Sequence, residues 1–282
     1  MKWKAFSKAY NKQTKEALIL QHQAIQFIAM AGKYLIDGKA DDSHSNMIFI
    51  SDKSMYVGNE LPNGKYLALQ STELYLMLVN NNLEIQKQFA LEGKSRANIY
   101  KMLRKMLFDS GLDITNLKDE LHYEIPDHPI AHDGIFSFND EEGFEENNLY
   151  RRNAKIILNE IIRPIKKAGP IRIWPHHFDT ACMIPIGYNE QHELNQSIGL
   201  GFAIPDSMID QPYFYLSFWT EEGNENLKNL PALSSGQWMM PQWNGGILSL
   251  SEILSSQNNQ FELVKGFYQS GIDILQKYFP IH

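Results

Sequence analysis

The apolar residues along the chain recur with two different periods, and together they predict two successive groups of helices and strands. The first group opens with a helix near residues 15–36 and closes with a helix that begins after Ser95 and stops at Gly111. Short strand-like runs lie between these helices, at 47–50, 54–57, 66–69, 74–79 and 83–91. The closing helix has the i, i+3, i+4, i+7, i+8 spacing of an amphipathic helix at Ile99, Met102, Leu103, Met106 and Leu107.

The second group repeats that order. One helix is predicted from about Leu149 to Lys167 and another near Gln260–Phe279, where Pro280 ends it. Short turns between the strands, with the helices kept apart from them, predict an α+β fold with antiparallel sheets. The two helix–antiparallel meander–helix halves are either a pseudo-duplication or a coincidence of element order. The strand-like runs of the second group are 171–174, 178–186, 197–204, 212–219, 237–240 and 246–250.

An acidic, irregular segment separates the two groups. From Asp113 to Glu146 there are eleven acidic residues and one basic residue, Lys118, so the local charge is −10. The segment has neither a helical nor a strand period, which predicts a connection, either a solvated linker or a charged lid. We therefore divide the chain into residues 1–112, a connection at 113–147, and residues 148–282.

The composition excludes several classes of protein. A net charge of −7 over 282 residues argues against a nucleic acid as partner, and the single cysteine, Cys182, excludes a disulfide framework. The apolar residues after the amino-terminal lysines are interrupted at Gln21, and no run reaches the roughly 18 to 20 residues that span a membrane. We expect a cytoplasmic protein with no membrane span, with a lysine-rich arm on a membrane surface as the alternative.

One segment of the second half carries a specific pattern. Pro170 is followed, after seven residues, by Phe178, Asp179, Thr180 and Ala181. This segment resembles the Pro-x7-Phe-Asp-x-Ala core of an uncharacterised bacterial family, a domain of unknown function. The similarity continues in order through Ser197–Phe202, Phe214-Tyr215 with Trp219, and Phe261–Ile272.

The resemblance covers nearly the whole chain, with two departures. Arg172 stands where many members of the family have histidine, and Trp219-Thr220 replaces a Tyr-Pro pair. A role for a histidine at the first of these positions therefore does not carry over. The resemblance implies a shared fold and supplies no activity.

Two residues of this segment suggest chemistry. If Ile171–Asp179 is one extended strand, His177 and Asp179 share a face, because side chains alternate along a strand. They would then form a catalytic base with its orienting carboxylate or, together with His176, a set of metal ligands. No nucleophile motif accompanies them, and His176 would point to the opposite face. A buried histidine–aspartate hydrogen bond explains the same residues without any reaction.

The neighbouring strands predict a cleft. One face of residues 197–204 carries Gly199, Gly201 and Ala203, which have almost no side chain, and two glycines on one face usually mark the close approach of another group. The next strand carries aromatic side chains with polar tips on one face. We predict a cleft with the small residues as its floor, and the alternative is that a helix or the other half covers them. Its ligand contacts would be Trp174, Gly199, Gly201, Tyr213, Tyr215 and Trp219.

Three functional hypotheses follow from these residues. The first is a protein that binds a small-molecule ligand in the aromatic cleft. The second is a metal-dependent or acid–base enzyme that uses His177 and Asp179, and the third is a protein-interaction scaffold. The sequence names no cofactor and fixes no oligomeric state.

Overall fold

The computed structural model describes residues 2–132, 134–137, 141–221, 223, 227, 229–256 and 259–279. Each described strand pairing is antiparallel, which confirms the predicted α+β class. The first elements are α1 (Lys12–Leu35), β1 (Met47–Ile50), β2 (Met55–Glu60), β3 (Tyr66–Gln70), β4 (Tyr75–Val79), β5 (Ile85–Ala90) and α2 (Arg96–Phe108). They are followed by α3 (Glu142–Ile162), β6 (Arg172–Trp174), β7 (Asp179–Tyr188), β8 (Leu194–Ala203), β9 (Tyr213–Thr220), β10 (Gln237–Trp238), β11 (Gly245–Ser249), α4 (Leu250–Ser255) and α5 (Gln260–Leu275).

The chain divides into two compact units that differ from the predicted halves. The amino-terminal unit consists of Asn11–Asn148 and Arg172–Phe178. The carboxyl-terminal unit consists of Met1–Tyr10, Leu149–Ile171 and Asp179–His282. Each unit therefore contains a segment that the sequence analysis assigned to the other half. Whether the halves are a duplication stays a prediction.

The acidic segment is part of the amino-terminal unit instead of a separate connection. Phe136 is fully buried, its N–H donates to the Lys94 carbonyl at 3.0 Å, and its carbonyl accepts the Gly93 N–H at 2.8 Å. Ile130, in a short 3-10 helix over Pro129–Ala131, is also buried. The acidic segment thus contains apolar side chains that pack into the unit, and its net charge alone does not predict this packing.

The sheet of the amino-terminal unit runs in the order β6-β1-β2-β3-β4-β5. Helix α1 packs on one of its faces, where an added Cβ at Gly58 would lie 2.6 Å from a methyl group of Ile28. The absence of a side chain at Gly58 lets the helix approach the strand closely. The opposite face carries an apolar cluster of Met55, Val57, Ala68, Met77 and Val79.

Helix α1 is buried along most of its length although it contains several polar residues. The buried Gln21 amide donates to the Ser71 carbonyl at 2.8 Å and lies 3.4 Å from the Asn148 amide oxygen. Ser71 in turn donates to Asn148 at 2.8 Å, so these buried polar groups satisfy one another. In the described part of the chain, no helix is both long and apolar enough to cross a membrane.

The sheet of the carboxyl-terminal unit runs in the order β10-β11-β9-β8-β7. One face packs against α3 and α5 and forms the apolar core of the unit. Residues from both sides of this core include Leu200, Phe202, Phe214 and Leu216 of the strands and Leu158, Val264 and Phe267 of the helices. The other face of the sheet contains the residues of the predicted cleft.

Two amide side chains hold the first residues of the chain on this unit. The Phe6 N–H donates to the Gln260 amide oxygen at 2.7 Å, and the Gln260 amide nitrogen donates to the Phe6 carbonyl at 2.8 Å. Asn153 makes the same pair of contacts with the backbone of Lys4, at 3.2 and 2.6 Å. Because both backbone groups are satisfied at each residue, this segment can pack against the core without a strand partner.

Candidate functional site

The strand register places the predicted cleft residues on one face of the carboxyl-terminal sheet. Ala181, Gly201 and Tyr215 are direct neighbours across β7, β8 and β9, and Met183, Gly199 and Ser217 form the next row. Residues directly opposite one another in an antiparallel sheet share a face. We call this surface the glycine face; it comprises Asp179, Ala181, Met183, Pro185, Ser197, Gly199, Gly201, Ala203, Tyr213, Tyr215, Ser217 and Trp219.

The Tyr215 ring lies on Gly201. A Cβ placed at Gly201 would be 2.5 to 2.6 Å from the carbon atoms and hydroxyl at the tip of that ring, which is far inside van der Waals contact. Glycine is therefore needed at position 201, since the Tyr215 ring of the neighbouring strand occupies the space of a side chain. The sequence analysis took Gly201 as the floor of a cleft and Tyr215 as its wall, and this part of the prediction is wrong.

The Tyr215 hydroxyl reaches across β8 to Asp179 on β7. Its O–H donates to the Asp179 carboxylate at 2.5 Å, the length expected for a charge-assisted hydrogen bond. Strands β9 and β7 are two strand spacings apart, about 9.6 Å, so the Tyr215 side chain must cross the intervening strand β8 to reach Asp179. Burial, with the negative charge of Asp179, holds the pKa of Tyr215 well above its usual value, so the phenol stays protonated and acts as a donor.

This geometry explains part of the Phe-Asp-x-Ala pattern. Asp179 is only 7% exposed and begins β7, where it receives the Tyr215 hydroxyl. Ala181 lies directly opposite Gly201 in the register. A larger side chain at Ala181 would compete with the Tyr215 ring for the same surface. The position of the Tyr215 side chain thus explains both residues: the aspartate accepts its hydroxyl, and the alanine leaves room for its ring.

A second tyrosine–aspartate pair fills the end of the glycine face. Tyr213 donates to Asp206 at 2.7 Å, and burial together with the Asp206 charge raises its pKa. Tyr213 also packs with Ala203 and Ile247 in a small buried cluster. This end of the predicted cleft is therefore closed.

The open part of the glycine face is the row around Gly199. The Ser217 hydroxyl lies over Gly199, 2.6 Å from where a Cβ would be. Met183 is 44% exposed at one end of this row, and Trp219 is 47% exposed in the row beyond it. On the far side of Ser217, the Trp243 ring covers Gly245 and meets the Tyr215 ring at 6.0 Å. What remains of the predicted cleft is a shallow surface between Tyr215 and Trp219.

The predicted histidines lie on a turn of the amino-terminal unit. Strand β6 ends at Trp174, residues 175–178 form a turn, and β7 begins only at Asp179. His177 and Asp179 therefore do not lie on one extended strand, and the shared face assumed for them does not exist. The proline and the turn interrupt the strand that the alternation argument required.

Buried side chains of α1 hold this turn in place. His22 Nε2 and the Gln26 amide nitrogen each lie 2.9 Å from the Pro175 carbonyl oxygen. The Phe178 ring stacks on His22 at 5.0 Å, and its backbone has a φ of 50°, an unusual value for a residue other than glycine. Several independent contacts thus fix a turn conformation that a free chain would rarely adopt.

The turn presents two histidines with different surroundings. His176 is half-buried, with its ring 4.4 Å from the His177 ring and 5.7 Å from the Tyr123 ring. Burial, together with the neighbouring His177, lowers the pKa of His176 to about 4. His177 is exposed. His176 is therefore a neutral imidazole at physiological pH.

The remaining predicted site residues are not gathered into one cluster. Trp174 belongs to the amino-terminal unit, where its ring meets His176 at 6.2 Å. Within the ranges that the structure describes, no group of three or more histidine, cysteine, aspartate or glutamate side chains is placed to hold a metal ion. The roles assigned to His176, His177 and Asp179 stay predictions.

Sequence reasoning missed several partners. Asp206 follows a proline and accepts the Met208 and Ile209 N–H groups, so its sequence signal is that of a turn, with nothing to indicate Tyr213. His22 and Gln26 were missed as supports of the histidine turn. Their signal was present, since polar residues interrupt the apolar stripe of α1, but their partners lie about 150 residues away.

Comparisons of this chain with protein-family models, with curated proteins and with solved structures found no match in any of the three. The resemblance to a bacterial family therefore stays a prediction.

Gly201→Ala tests the placement of Tyr215. The added methyl group would overlap the ring, so we expect destabilisation of the carboxyl-terminal unit by about 1–3 kcal/mol, as for other overpacked sites. Thermal unfolding and urea titration measure this loss. Gly38→Ala is the matched control, because a Cβ there would meet nothing within 4 Å. Equal stability of both variants would show that the ring does not lie on Gly201.

Acidification tests the environment of His176. The unfolded imidazole titrates near 6.5 and the folded one at about 4, so between these values the unfolded chain binds the additional proton. Stability should consequently fall as the pH is lowered through this window, and His176→Gln should lose less than the wild type. Proton NMR of the wild-type imidazole reports the pKa directly. Titration of His176 near 6.5 would contradict the half-buried position.

Proposed function

We propose that the carboxyl-terminal unit binds a small, uncharged, ring-shaped molecule on the open part of the glycine face. The observation that carries this proposal is the 47% exposure of Trp219 beside the shallow floor of Gly199 and Ser217. Of the other aromatic residues of β9 on this face, Tyr213 is buried in its cluster and Tyr215 is half-buried with its ring on Gly201. An exposed indole next to small residues offers a flat apolar surface on which a ring can stack.

The size of the surface suits a ligand of one or two rings. Tyr215 and Trp219 are four residues apart on β9, which corresponds to about 13 Å between their Cα atoms. Ser217 lies between them with Gly199 directly opposite, and the Ser217 hydroxyl can donate or accept a hydrogen bond at the centre. A ligand of one or two rings would therefore contact the indole and the serine together.

The chemistry of the surface favours an uncharged ligand. The row of Gly199 and the row that contains Trp219 carry no ionisable side chain; they consist of Met183, Gly199, Ser217, Pro185, Ser197 and Trp219. A charged ligand would lose hydration here without gaining an opposite charge from these rows. A molecule with apolar ring faces and a hydroxyl or amide edge matches both the indole and the serine.

In this proposal the Tyr215–Asp179 pair is a positioning element. The Tyr215 hydroxyl donates its hydrogen bond to Asp179, and the Tyr215 ring forms the border of the open surface. Asp179 is buried beneath it, so neither group is offered to a ligand as a base. The Tyr215–Asp179 hydrogen bond holds the ring at the edge of the proposed ligand surface.

One further observation favours acid–base chemistry as a second candidate. The histidine turn holds two imidazoles in ring contact on a backbone with a positive φ at Phe178, and strained, well-supported backbone is found preferentially at functional sites. In such a role the neutral His176 would serve as a hydrogen-bond donor or acceptor, and the exposed His177 would exchange protons with a substrate.

Ligand titration followed by NMR tests the proposal. A panel of small uncharged ring compounds, including phenyl glycosides and aromatic amides, is screened against the isotopically labelled full chain. We expect at least one compound to shift the Trp219 indole N–H signal, and Trp219→Ala to weaken its binding by about tenfold or more through the lost stacking area.

Tyr278→Ala is the matched control, because it removes another exposed aromatic residue, 43% exposed after α5. Binding to this variant should equal that of the wild type. The proposal is contradicted if no compound shifts Trp219, or if Trp219→Ala binds as tightly as the wild type. Compounds that shift only the His176 and His177 signals would support the second candidate instead.

A further inference from the structure

Helix α2 borders a depression on the surface of the amino-terminal unit. The depression has a volume of about 390 Å³, within the range of small-molecule sites. Four of its lining residues recur at helical spacing along one side of α2, and the fifth comes from the turn before the helix. The lining residues are Lys94, Asn98, Lys101, Met102 and Lys105.

The charge around this depression is positive. Helix α2 contains Arg96, Lys101, Arg104 and Lys105 and no acidic residue. None of the five lining residues is acidic either, in a chain whose net charge is −7. The positive charge is thus concentrated on this helix against the overall balance of the molecule.

The two arginines of α2 have structural partners. Arg96 forms an ion pair with Asp119 at 2.7 Å. Arg104 donates to the Leu117 carbonyl at 2.8 Å. Both contacts fasten the segment after α2 to the helix, so they account for the presence of the arginines without any ligand.

The three lysines that line the depression differ from the arginines in their partners. Lys101 and Lys105 are one helical turn apart, a spacing at which like charges repel one another. Lys105 pairs with the exposed Asp109 at 2.8 Å, and Lys94 donates to the Glu92 carbonyl at 3.3 Å. The five lining residues thus include three ammonium groups and no carboxylate, and Asp109, which pairs with Lys105, lies outside the lining.

We propose that this depression binds a small organic anion with at least two negative charges and an apolar body. The ammonium groups of Lys94, Lys101 and Lys105 supply the charge complement, as lysines do for phosphate groups. The apolar body would contact Met102, which is half-buried at the centre of the lining, and the methylene stems of the lysines.

The shape of the depression and its surroundings favour a small molecule over a flat membrane surface. The lining includes Met102, which is half-buried and lies between Lys101 and Lys105 along the helix, whereas a flat bilayer would contact only the exposed ends of the lysines. Phe108, on the same helix, is 66% exposed and extends the apolar surface beyond Lys105. An apolar group longer than the depression could continue onto this ring.

Calorimetric titration of the full chain with 1-naphthyl phosphate tests the proposal. Pyrophosphate, which has the charge without the rings, and 1-naphthol, which has the rings without the charge, are the comparison probes. We expect saturable binding of 1-naphthyl phosphate and weaker binding of both other probes. The double substitution Lys101→Gln with Lys105→Gln should weaken binding by at least about fivefold, since two of three charges are lost.

Lys12→Gln with Lys15→Gln is the matched control, because it removes two exposed lysines from another helix and changes the net charge equally. This variant should bind as the wild type does, and circular dichroism verifies that both variants are folded. The proposal is overturned if the wild type shows no saturable binding, if both double variants bind equally, or if pyrophosphate binds as tightly as 1-naphthyl phosphate. Binding of the wild type to phosphatidylserine vesicles without binding of 1-naphthyl phosphate would overturn it in favour of a membrane surface.

Discussion

A single hydrogen bond, from the Tyr215 hydroxyl to the Asp179 carboxylate, determines the shape of the glycine face. It joins β9 to β7 across β8, so the Tyr215 side chain must cross the strand between them. That position requires glycine at 201, where any Cβ would overlap the ring. The buried carboxylate and the phenol satisfy each other, and the removal of either would leave a polar group buried without this partner.

The same constraint decides where a ligand can bind. With Gly201 covered by Tyr215, and Ala203 by the cluster around Tyr213, the small residues at this end of the face serve internal packing. Gly199 and Ser217 remain partly accessible, and the exposed Trp219 lies in the next row. The proposed ligand surface is therefore the part of the glycine face that the Tyr215 and Tyr213 side chains do not cover.

Periodicity alone predicted the class of fold and most of the strands, because alternation and turn residues are local properties. It also placed Gly199 with Gly201 on one face of their strand, and Tyr213 with Tyr215 on one face of the next. It could not predict that Tyr215 covers Gly201, since this depends on the register between β8 and β9 and on a partner 36 residues away. The prediction of an extended strand through the histidine turn, residues 175–178, was wrong for a similar reason. Its conformation is set by His22 and Gln26 of α1, which lie 153 and 149 residues from Pro175 in sequence.

The position of the Tyr215 ring is the central claim, and a NOESY spectrum of the full chain measures it most directly. The account predicts strong cross-peaks between the Tyr215 ring protons and the Gly201 α-protons, with the α-protons shifted upfield by the ring above them. It also predicts that both effects vanish in Tyr215→Leu. Gly201 α-protons at ordinary shifts, with no cross-peak to Tyr215, would contradict the account and reopen the predicted cleft at this position.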